Sequence, residues 1–499
     1  MRTKLLALML LPSIASAQLS YVPFSSIKER SHDNDSAAPA VAGIVPVKYR
    51  TIRGPADTEN DSRKNLTDEQ AGNFVLRLKM LTSGNPKLPA MSKPQMFRLF
   101  LGLDAIDHVY VEPLSASRWD DILRAMGDTG AKEFGKKSKD WDVVIDHMLQ
   151  AGFKQLKDPH SEYLDPAQTK AFHEYSNGTF SGIGITLSSH TQGIRVRIAY
   201  PGSGAEAAGI KAGDVITWVD GESVAGLAIE DIIKKLKGPA DTVVSVKVLR
   251  EGILSEPISI TRTKVVIPKA FSKMAAPGIG YVYFPHFESS VDTLVIDSIS
   301  RLKSEGARAV ILDVRSNPGG DVRMVSSISS EFLKDGDEIV SFQHQGQVDF
   351  KNVTDGDGKF AGTPVVVLVD AKSASASEIL SGTLQDKLGR PYTIIGSRSF
   401  GKGTQQQILP QPNGRLLKLT QNRWYTPKGR SIDAQKDPDG REIPGTGGIL
   451  PNIAVDVSEE QTDKIMNDIT LELFERSVPE PRTPDPVLEK AIEVLSNIR

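Results

Sequence analysis

One strand-to-helix turn constrains this chain more than any other stretch of its sequence. The apolar run Val365–Val369 predicts a buried strand, and small residues at 373–377 separate it from a helical pattern. Such a turn leaves a hydroxyl beside the unpaired N–H groups of a helix N-terminus. Those groups and the helix dipole favour negative charge. The turn therefore fits either an acyl-transfer nucleophile or a plain helix cap formed by Ser375 or Ser377.

The composition is that of an ordinary globular protein. At 499 residues the chain has room for about three domains, and 39% hydrophobic with 24% charged residues is typical of soluble proteins. The formal net charge of −2 gives no sign of a nucleic-acid partner. The absence of cysteine excludes disulfides and thiolate metal sites.

The first residues have the pattern of a signal peptide. Arg2 and Lys4 precede an apolar run at 5–11, and Ala15-Ser16-Ala17 provides a cleavage site, so we predict a signal peptide at 1–17. An uncleaved N-terminal helix is the alternative. No other stretch reaches the ~18 consecutive apolar residues that a membrane span needs. We expect an exported protein of the bacterial periplasm with no stable membrane span.

The patterns along the rest of the chain predict a multidomain α+β protein. Strands and helices alternate in the second half, which favours an α/β domain. The boundaries that we expect are a flexible leader at 18–62 (to which 41–49 could add an edge strand), a helical N-terminal region at 63–175, a β-rich unit at 176–264, an α/β core at 265–457 and a helical C-terminal tail at 458–499.

Acyl transfer by a serine needs a base, and the sequence offers a lysine. The chain lacks a G-x-S-x-G motif, and the histidine that most closely precedes the turn is His344, although a more distant histidine stays open. A lysine can act as the base when burial lowers its pKa toward neutrality. Lys402 lies between Gly401 and Gly403, which let the backbone approach closely. A solvated turn lysine is the alternative.

A second turn could supply hydrogen-bond donors for the oxyanion. Asn317-Pro318-Gly319-Gly320 follows the predicted strand Ala309–Arg315, and its glycines free N–H groups to point into a cleft. With the amide of Ala376, Gly319 or Gly320 would complete an oxyanion hole. A plain turn is the alternative.

Together these motifs resemble the carboxy-terminal processing (tail-specific) serine peptidases, a family with an embedded PDZ domain. The resemblance covers the chain from about residue 141 onward. Its matching stretches are Asp158–Ser161 with Tyr163-Leu164, Gly182–Ile185, Ala208–Lys211 with Gly213-Asp214, Leu312–Arg315 with Asn317–Gly320, Ser373–Glu378, Phe400–Gly403 and Tyr425–Pro427 with Gly429–Ile432.

The resemblance implies a role for each site residue. It makes Ser375 the nucleophile, Lys402 the base and Gln406 the residue that orients the base. Some members of the family are assigned an aspartate as a third catalytic residue, which would here be Asp386. We interpret Asp386 instead as a residue that caps the helix end or forms an ion pair there, near Lys387 and Arg390. The resemblance implies a crotonase/ClpP-like peptidase core at 265–457, a PDZ domain at 176–264 and no metal or organic cofactor.

The same resemblance implies how substrates are chosen. The loop Gly182-Ile183-Gly184-Ile185 can present N–H groups to a terminal carboxylate, the next strand can pair with an extended peptide, and Ile232 with Ile233 would line an apolar pocket. An inert β-domain is the alternative. The partners that we expect are polypeptides with apolar C-termini and a homo-oligomer or regulatory adaptor. A catalytically silent PDZ scaffold and a crotonase-like acyl-CoA enzyme are the rival functions.

Overall fold

The computed structural model describes residues 49–53, 91–134, 140–176, 179–389, 393–435, 437, 443, 445–478 and 480–498. The predicted signal peptide at 1–17 lies outside the described residues, as does the leader at 18–62 apart from the strand Tyr49–Arg53. The predicted helical region is described from residue 91 onward. The prediction of a mixed helix and sheet protein is confirmed.

The described helices and strands are numbered in chain order. The helices are α1 (Lys93–Val109), α2 (Ala116–Glu133), α3 (Trp141–Lys154), α4 (Pro166–Ser176), α5 (Gly204–Ala207), α6 (Ile229–Leu236), α7 (Val291–Ser304), α8 (Val322–Ser330), α9 (Ala376–Leu388), α10 (Glu459–Leu473) and α11 (Pro486–Ser496). The strands are β1 (Tyr49–Arg53), β2 (Glu162–Leu164), β3 (Thr179–Gly182), β4 (Ile185–His190), β5 (Gly193–Ala199), β6 (Val215–Val219), β7 (Glu222–Ser223), β8 (Val243–Arg250), β9 (Ile253–Leu254), β10 (Ile258–Thr261), β11 (Thr263–Val266), β12 (Phe271–Ala276), β13 (Ile279–Tyr283), β14 (Ala309–Asp313), β15 (Glu338–His344), β16 (Gln347–Thr354), β17 (Val365–Val369), β18 (Thr393–Gly396), β19 (Thr404–Gln411), β20 (Arg415–Tyr425) and β21 (Ile453–Ala454).

The chain divides into two compact units, each built from separate segments. The first unit consists of Met1–Lys170, Glu338–Asp355 and Lys402–Gly447. The second consists of Ala171–Asp337, Gly356–Gly401 and Gly448–Arg499. Two segments of the predicted 265–457 core therefore pack with the N-terminal helices.

The first unit packs helices on an antiparallel sheet. The strand order is β1-β16-β15-β20-β19, and β2 also pairs with β20. The predicted apolar face of α3 is confirmed, because Trp141, Ile145, Met148 and Leu149 are all buried. This face shares one hydrophobic core with Leu417 and other residues of the β19–β20 hairpin.

The second unit contains a mostly parallel sheet that positions two turns at one edge. The strand order is β12-β13-β14-β17-β18-β21, in which only β12 runs antiparallel. β14 leads into the turn at Asn317 and β17 into the turn at Ser375. Because β14 and β17 are parallel neighbours, both turns lie at the carboxyl edge of the sheet, which is where α/β proteins place ligands.

The second unit also contains a separate β-rich sheet over residues 185–261. Its strand order is β10-β8-β6-β5-β4, with β7 paired to β6 and β9 to β8. β4 is the terminal strand of that order, and α6 shares a hydrophobic core with the sheet through Ile232 and Leu236. This sheet is the part of the chain for which the sequence predicted a PDZ domain.

The last helix, α11, is fixed to the parallel sheet of the same unit by a buried ion pair. Arg315 follows β14 and binds the carboxylates of Asp313 and Asp485, the latter at the start of α11. Burial opposes ionisation of Asp485, yet the Arg315 guanidinium lowers the pKa of that carboxyl. Across the described chain, the helices lack the length and apolar character that crossing a bilayer requires.

Candidate active site

The turn after β17 holds Ser375 in an unusual backbone conformation. Ser375 is the N-cap of α9 and has φ 54° and ψ −114°, a region that L-residues rarely adopt. A non-glycine residue in such a region costs about 1–3 kcal/mol and is typical of functional sites. The Ser375 side chain is half-buried and forms a capping box with Glu378 at the start of α9. Its backbone distinguishes it from an ordinary N-cap residue, which is extended.

The two neighbouring serines shape the turn. The Ser373 hydroxyl donates to the Val314 carbonyl at 2.7 Å, and the Ser377 hydroxyl donates to the Asn317 carbonyl at 2.8 Å. Both side chains are fully buried. They connect the β17 turn to the turn after β14.

A buried carboxylate, which the sequence analysis did not single out, holds the turn. Glu378 accepts the Ser375 N–H at 2.8 Å through Oε2. Its Oε1 accepts the Ser399 hydroxyl and the Gly401 N–H, both at 2.6 Å. Glu378 is the third residue of α9, the position at which a capping-box glutamate binds back to the N-cap. This spacing is the feature of the sequence from which its bond to Ser375 could have been predicted. One carboxylate thus fixes both the serine and the chain that leads to Lys402.

The second turn lies against the N-terminus of α9. The Asn317 side chain donates to the Phe284 carbonyl at 2.8 Å and accepts the Gly319 N–H at 2.9 Å. A Cβ on Gly319 would lie 2.8 Å from Ser375 Cβ and 2.9 Å from the Ala376 amide nitrogen. The structure therefore brings Gly319, Ser375 and Ala376 together in one unit.

The amides of this turn are not equivalent as oxyanion donors. The Gly319 N–H is engaged by Asn317, whereas within the described part of this unit the Gly320 and Ala376 N–H groups donate no hydrogen bond. The N–H of Ala376 is one of the four that a helix start leaves unpaired. Of the three predicted donors, Gly320 and Ala376 are thus the two whose N–H groups are not engaged within the described part of this unit.

A histidine that the sequence analysis missed lies beside the same turn. His286 follows β13 and is hydrogen-bonded to the backbone of Gly319. Burial lowers the pKa of His286 to about 4, although the bond to Gly319 favours the charged form. At neutral pH the ring is therefore uncharged. No sequence signal connected it with residues that lie more than thirty positions further along the chain.

Gly319→Ala should lower kcat by roughly 10²-fold, because displacing the predicted nucleophile Ser375 by about 1 Å costs this much. The new methyl group would collide with Ser375, and the φ of 100° at Gly319 disfavours any side chain. Gly362→Ala is the matched control, because Gly362 has φ 79° but nothing within 4 Å of the new methyl group. Steady-state kinetics on both variants tests this, and equal losses would mean that backbone strain alone explains the effect.

Lys402 and Gln406 belong to the first unit. The Lys402 carbonyl accepts the indole N–H of Trp424 at 2.9 Å, and the Gly403 N–H donates to Asp433 at 3.1 Å. A Cβ on Gly403 would lie 2.8 Å from Asp433 Cβ, so only glycine fits there. The Lys402 side chain is half-buried. The backbone of Lys402 is therefore held in place just before β19 begins.

Gln406 is held in one orientation by two threonines. Its side-chain nitrogen donates to the hydroxyls of Thr404 at 3.0 Å and of Thr420 at 3.2 Å. Within the described part of this unit, Gln406 Oε1 accepts no hydrogen bond. The amide therefore presents an acceptor, which is what a protonated lysine needs.

Asp386 lies at the far end of α9 from the turn. It is the eleventh residue of this continuous helix, so it lies about 15 Å along the axis from the first. The neighbouring Lys387 pairs with Asp337 at 3.0 Å. This separation argues that Asp386 does not touch the reacting atoms.

Comparisons with known proteins identify the family. A model of peptidase family S41 matches residues 278–455, and a PDZ domain model matches residues 195–250. A carboxy-terminal-processing protease of Bartonella bacilliformis is 33% identical over 305 residues, which is 60% of this chain and 67% of that protein. The chain belongs to the carboxy-terminal-processing proteases of peptidase family S41.

Other members of the family match in the same way. A CtpA-like serine protease of Staphylococcus aureus is 31% identical over 327 residues, which is 65% of this chain. The match spans 63% of that relative, so it covers less than two thirds of its length. The solved photosystem II D1 C-terminal processing protease has a TM-score of 0.51 and 25% identity, and the match covers 76% of this chain and 98% of that one.

The PDZ domain of this carboxy-terminal-processing protease has a loop suited to a carboxylate. The carbonyls of Ile183 and Gly184 accept the amides of Ala205 at 2.8 Å and Tyr200 at 2.9 Å. Within the described chain the amides of Ile183 and Gly184 donate no hydrogen bond. Gly184 has φ 83°, and a Cβ there would lie 2.2 Å from Ser203 Cβ, so only glycine fits. With Gly182 at the end of β3 and Ile185 at the start of β4, the predicted loop-to-strand order is present.

Proposed function

We propose that this chain is an exported serine endopeptidase that cleaves extended or unfolded polypeptides with a Ser375–Lys402 dyad. The observation that carries the proposal is the strained Ser375 at the start of α9, next to the Ala376 N–H, which has no partner in the described part of its unit, and against the turn that contains Gly319 and Gly320. Membership of the carboxy-terminal-processing protease family supports it.

The proposed chemistry uses groups of this chain alone. Ser375 Oγ attacks the scissile carbonyl carbon while its proton passes to Lys402 Nζ, and the amides of Gly320 and Ala376, or of Gly319 if Asn317 releases it, bind the oxyanion. Collapse of the tetrahedral intermediate breaks the C–N bond, and Lys402 gives its proton to the leaving amine. Water then hydrolyses the acyl ester. Gln406 Oε1 accepts a hydrogen bond from Lys402 and sets its direction.

The scaffold that we propose for this chemistry is a crotonase/ClpP-like core. The parallel strands from β13 to β21, with both catalytic turns at their carboxyl edge, support it. We further propose that the PDZ domain selects the substrate, that the protein acts in the bacterial periplasm, and that the helical N- and C-terminal regions form the surfaces of a homo-oligomer or adaptor complex.

The PDZ domain is proposed to bind an apolar C-terminus along β4. As the terminal strand of its sheet, β4 can add an extended peptide, and the partly buried Ile185 and Leu187 of β4 lie in the same hydrophobic cluster as Ile232. The loop amides of Ile183 and Gly184 would bind the terminal carboxylate. Burying one aliphatic side chain stabilises a complex by about 1.5–3 kcal/mol, which is roughly 10- to 100-fold in affinity.

Two unfolded substrates that differ only in an apolar or a charged C-terminal residue test this proposal. We expect kcat/KM to favour the apolar tail by roughly 10-fold or more. Ile185→Asp should abolish the preference, because a charged side chain would replace part of the apolar pocket that the apolar tail would occupy. Ser189→Asp is the control, since this exposed residue of the same strand receives the same charge. A preference that survives Ile185→Asp would contradict the proposed PDZ role.

A further inference from the structure

The sequence motif Asp158-Pro159-His160-Ser161 forms a closed hydrogen-bonded turn in the first unit. The Asp158 carboxylate accepts the His160 N–H at 3.0 Å and the Ser161 hydroxyl at 2.7 Å. Having donated to Asp158, the Ser161 oxygen can still accept a bond, and it accepts the backbone N–H of Thr420 at 2.9 Å. Asp158, Ser161 and Thr420 are all buried. The motif is thus tied to β20.

The bond to Thr420 is made at an irregularity in the β19–β20 hairpin. Gln405 pairs with Asn422, but Gln406 pairs with Thr420, so Gln421 is an extra residue. A β-bulge of this kind disrupts the ladder locally and redirects neighbouring side chains, and such bulges are common next to active sites. Gln406 therefore lies at the bulge, where the pairing of β19 with β20 does not by itself fix the direction of its side chain.

The outer edge of β20 has no strand partner at this point in the described structure. β2 pairs with residues 416–418 of β20 and β15 with residues 423–425. In the gap, Ser161 accepts the Thr420 N–H, the Val111 N–H donates to the Thr420 carbonyl at 2.9 Å, and His344 Nδ1 donates to the Gln421 carbonyl at 2.8 Å. These three contacts replace the missing strand.

The Thr420 side chain continues the connection to Gln406. Thr420 Oγ1 accepts from the Gln406 amide nitrogen, and Thr404 Oγ1 accepts from the same nitrogen. Both threonines are buried. With its nitrogen fixed by two acceptors, the Gln406 amide can offer only its oxygen to a cation.

We propose that Asp158 and Ser161 are positioning residues for the base. Through Thr420 they fix the β20 bulge and the Gln406 amide, and through Gln406 they direct Lys402. This inference rests on the proposed roles of Gln406 and Lys402. The Asp158–Ser161 motif would thus act on Lys402, which lies more than 240 positions further along the chain.

Ser161→Ala is expected to lower kcat by roughly 10- to 100-fold and to leave KM within about 2-fold, since misplacing a catalytic group by 1 Å costs up to this much. Gln406→Ala should lower kcat at least as far, and the double variant should be no slower than Gln406→Ala alone. Glu162→Gln is the matched control. It breaks the Glu162–Lys418 pair in the same β2–β20 contact and should change kcat by less than about 2-fold.

These results distinguish the proposed role of Gln406 from the proposed positioning role of Asp158 and Ser161. An unchanged kcat in Gln406→Ala would contradict the proposed function of Gln406 itself. A large loss in Gln406→Ala with unchanged kcat in Ser161→Ala, or losses that multiply in the double variant, would overturn the positioning role. If Ser161→Ala does not fold, Ser161→Thr and Ser161→Val decide. They have equal volume, only threonine keeps the hydroxyl, and equal kcat in the two would also overturn the proposal.

Discussion

Ser375→Ala is expected to lower kcat by on the order of 10⁴-fold or more while the protein stays folded. The hydroxyl is the proposed nucleophile, and nothing else in the turn can replace it, because Ser373 and Ser377 are buried and bonded to the carbonyls of Val314 and Asn317. The free energy of unfolding should fall by no more than about 1–2 kcal/mol, the cost of losing one helix-cap contact. Steady-state kinetics and thermal unfolding measure the two effects.

Ser377→Ala is the control for this prediction. It removes a buried hydrogen bond to Asn317, so we expect a loss of stability of about 1–2 kcal/mol and an enzyme that still cleaves. If Ser375→Ala retained activity within 10-fold of the parent, Ser375 would not be the nucleophile. A catalytically silent PDZ scaffold would instead give a parent protein that cleaves no polypeptide at all.

Lys402→Ala is expected to have the second-largest effect, a loss of kcat of roughly 10³- to 10⁴-fold. Without the amine no group proposed here takes the Ser375 proton. Lys402→Arg should not restore activity, because a guanidinium stays protonated and cannot act as a base. Activity assays on both variants, with thermal unfolding as a check on folding, measure this.

Lys351→Met is the matched control for Lys402. Lys351 lies in the same unit and pairs with Glu338 at 2.8 Å on the antiparallel sheet, so its loss should change kcat by less than about 2-fold. Substantial activity in Lys402→Arg would mean that positive charge, not proton transfer, is what this position supplies. His286 would then be the residue to test as the base.

The local elements could be predicted from the sequence because their signals are local. The strand Val365–Val369 and the turn at Ser375 follow from an apolar run that ends in small residues, and the structure has β17 and the α9 start there. The helix predicted from Trp141 onward is confirmed for the same reason, since its apolar residues repeat at helical spacing.

The assembly of distant segments could not be predicted. β15 and β16, together with residues 402–447, leave the second unit and join the N-terminal helices, because strand pairing such as that of β16 with β1 joins residues some 300 positions apart. No periodicity encodes such a partner. The sequence placed Lys402 and Ser375 in one α/β core, whereas the structure assigns them to different units.

The roles of buried polar residues also could not be predicted from the sequence. Glu378 has the spacing of a capping-box residue, but nothing in the sequence signals its bonds to Ser399 and Gly401. Likewise, Asp158 and Ser161 belong to a motif that the sequence could match to a family but not to a task. Their partner Thr420 is a routine strand residue until the bulge at Gln421 is known.

The identity of the residue that becomes acylated tests the central claim most directly. With a p-nitrophenyl ester of an apolar peptide, acylation outruns hydrolysis of the acyl-enzyme, so acid quenching should trap the covalent intermediate. Mass spectrometry is predicted to find one acyl group per chain on the peptide that contains Ser375, and none in Ser375→Ala. An ester that the protein turns over while the acyl group lies on another residue would contradict the account.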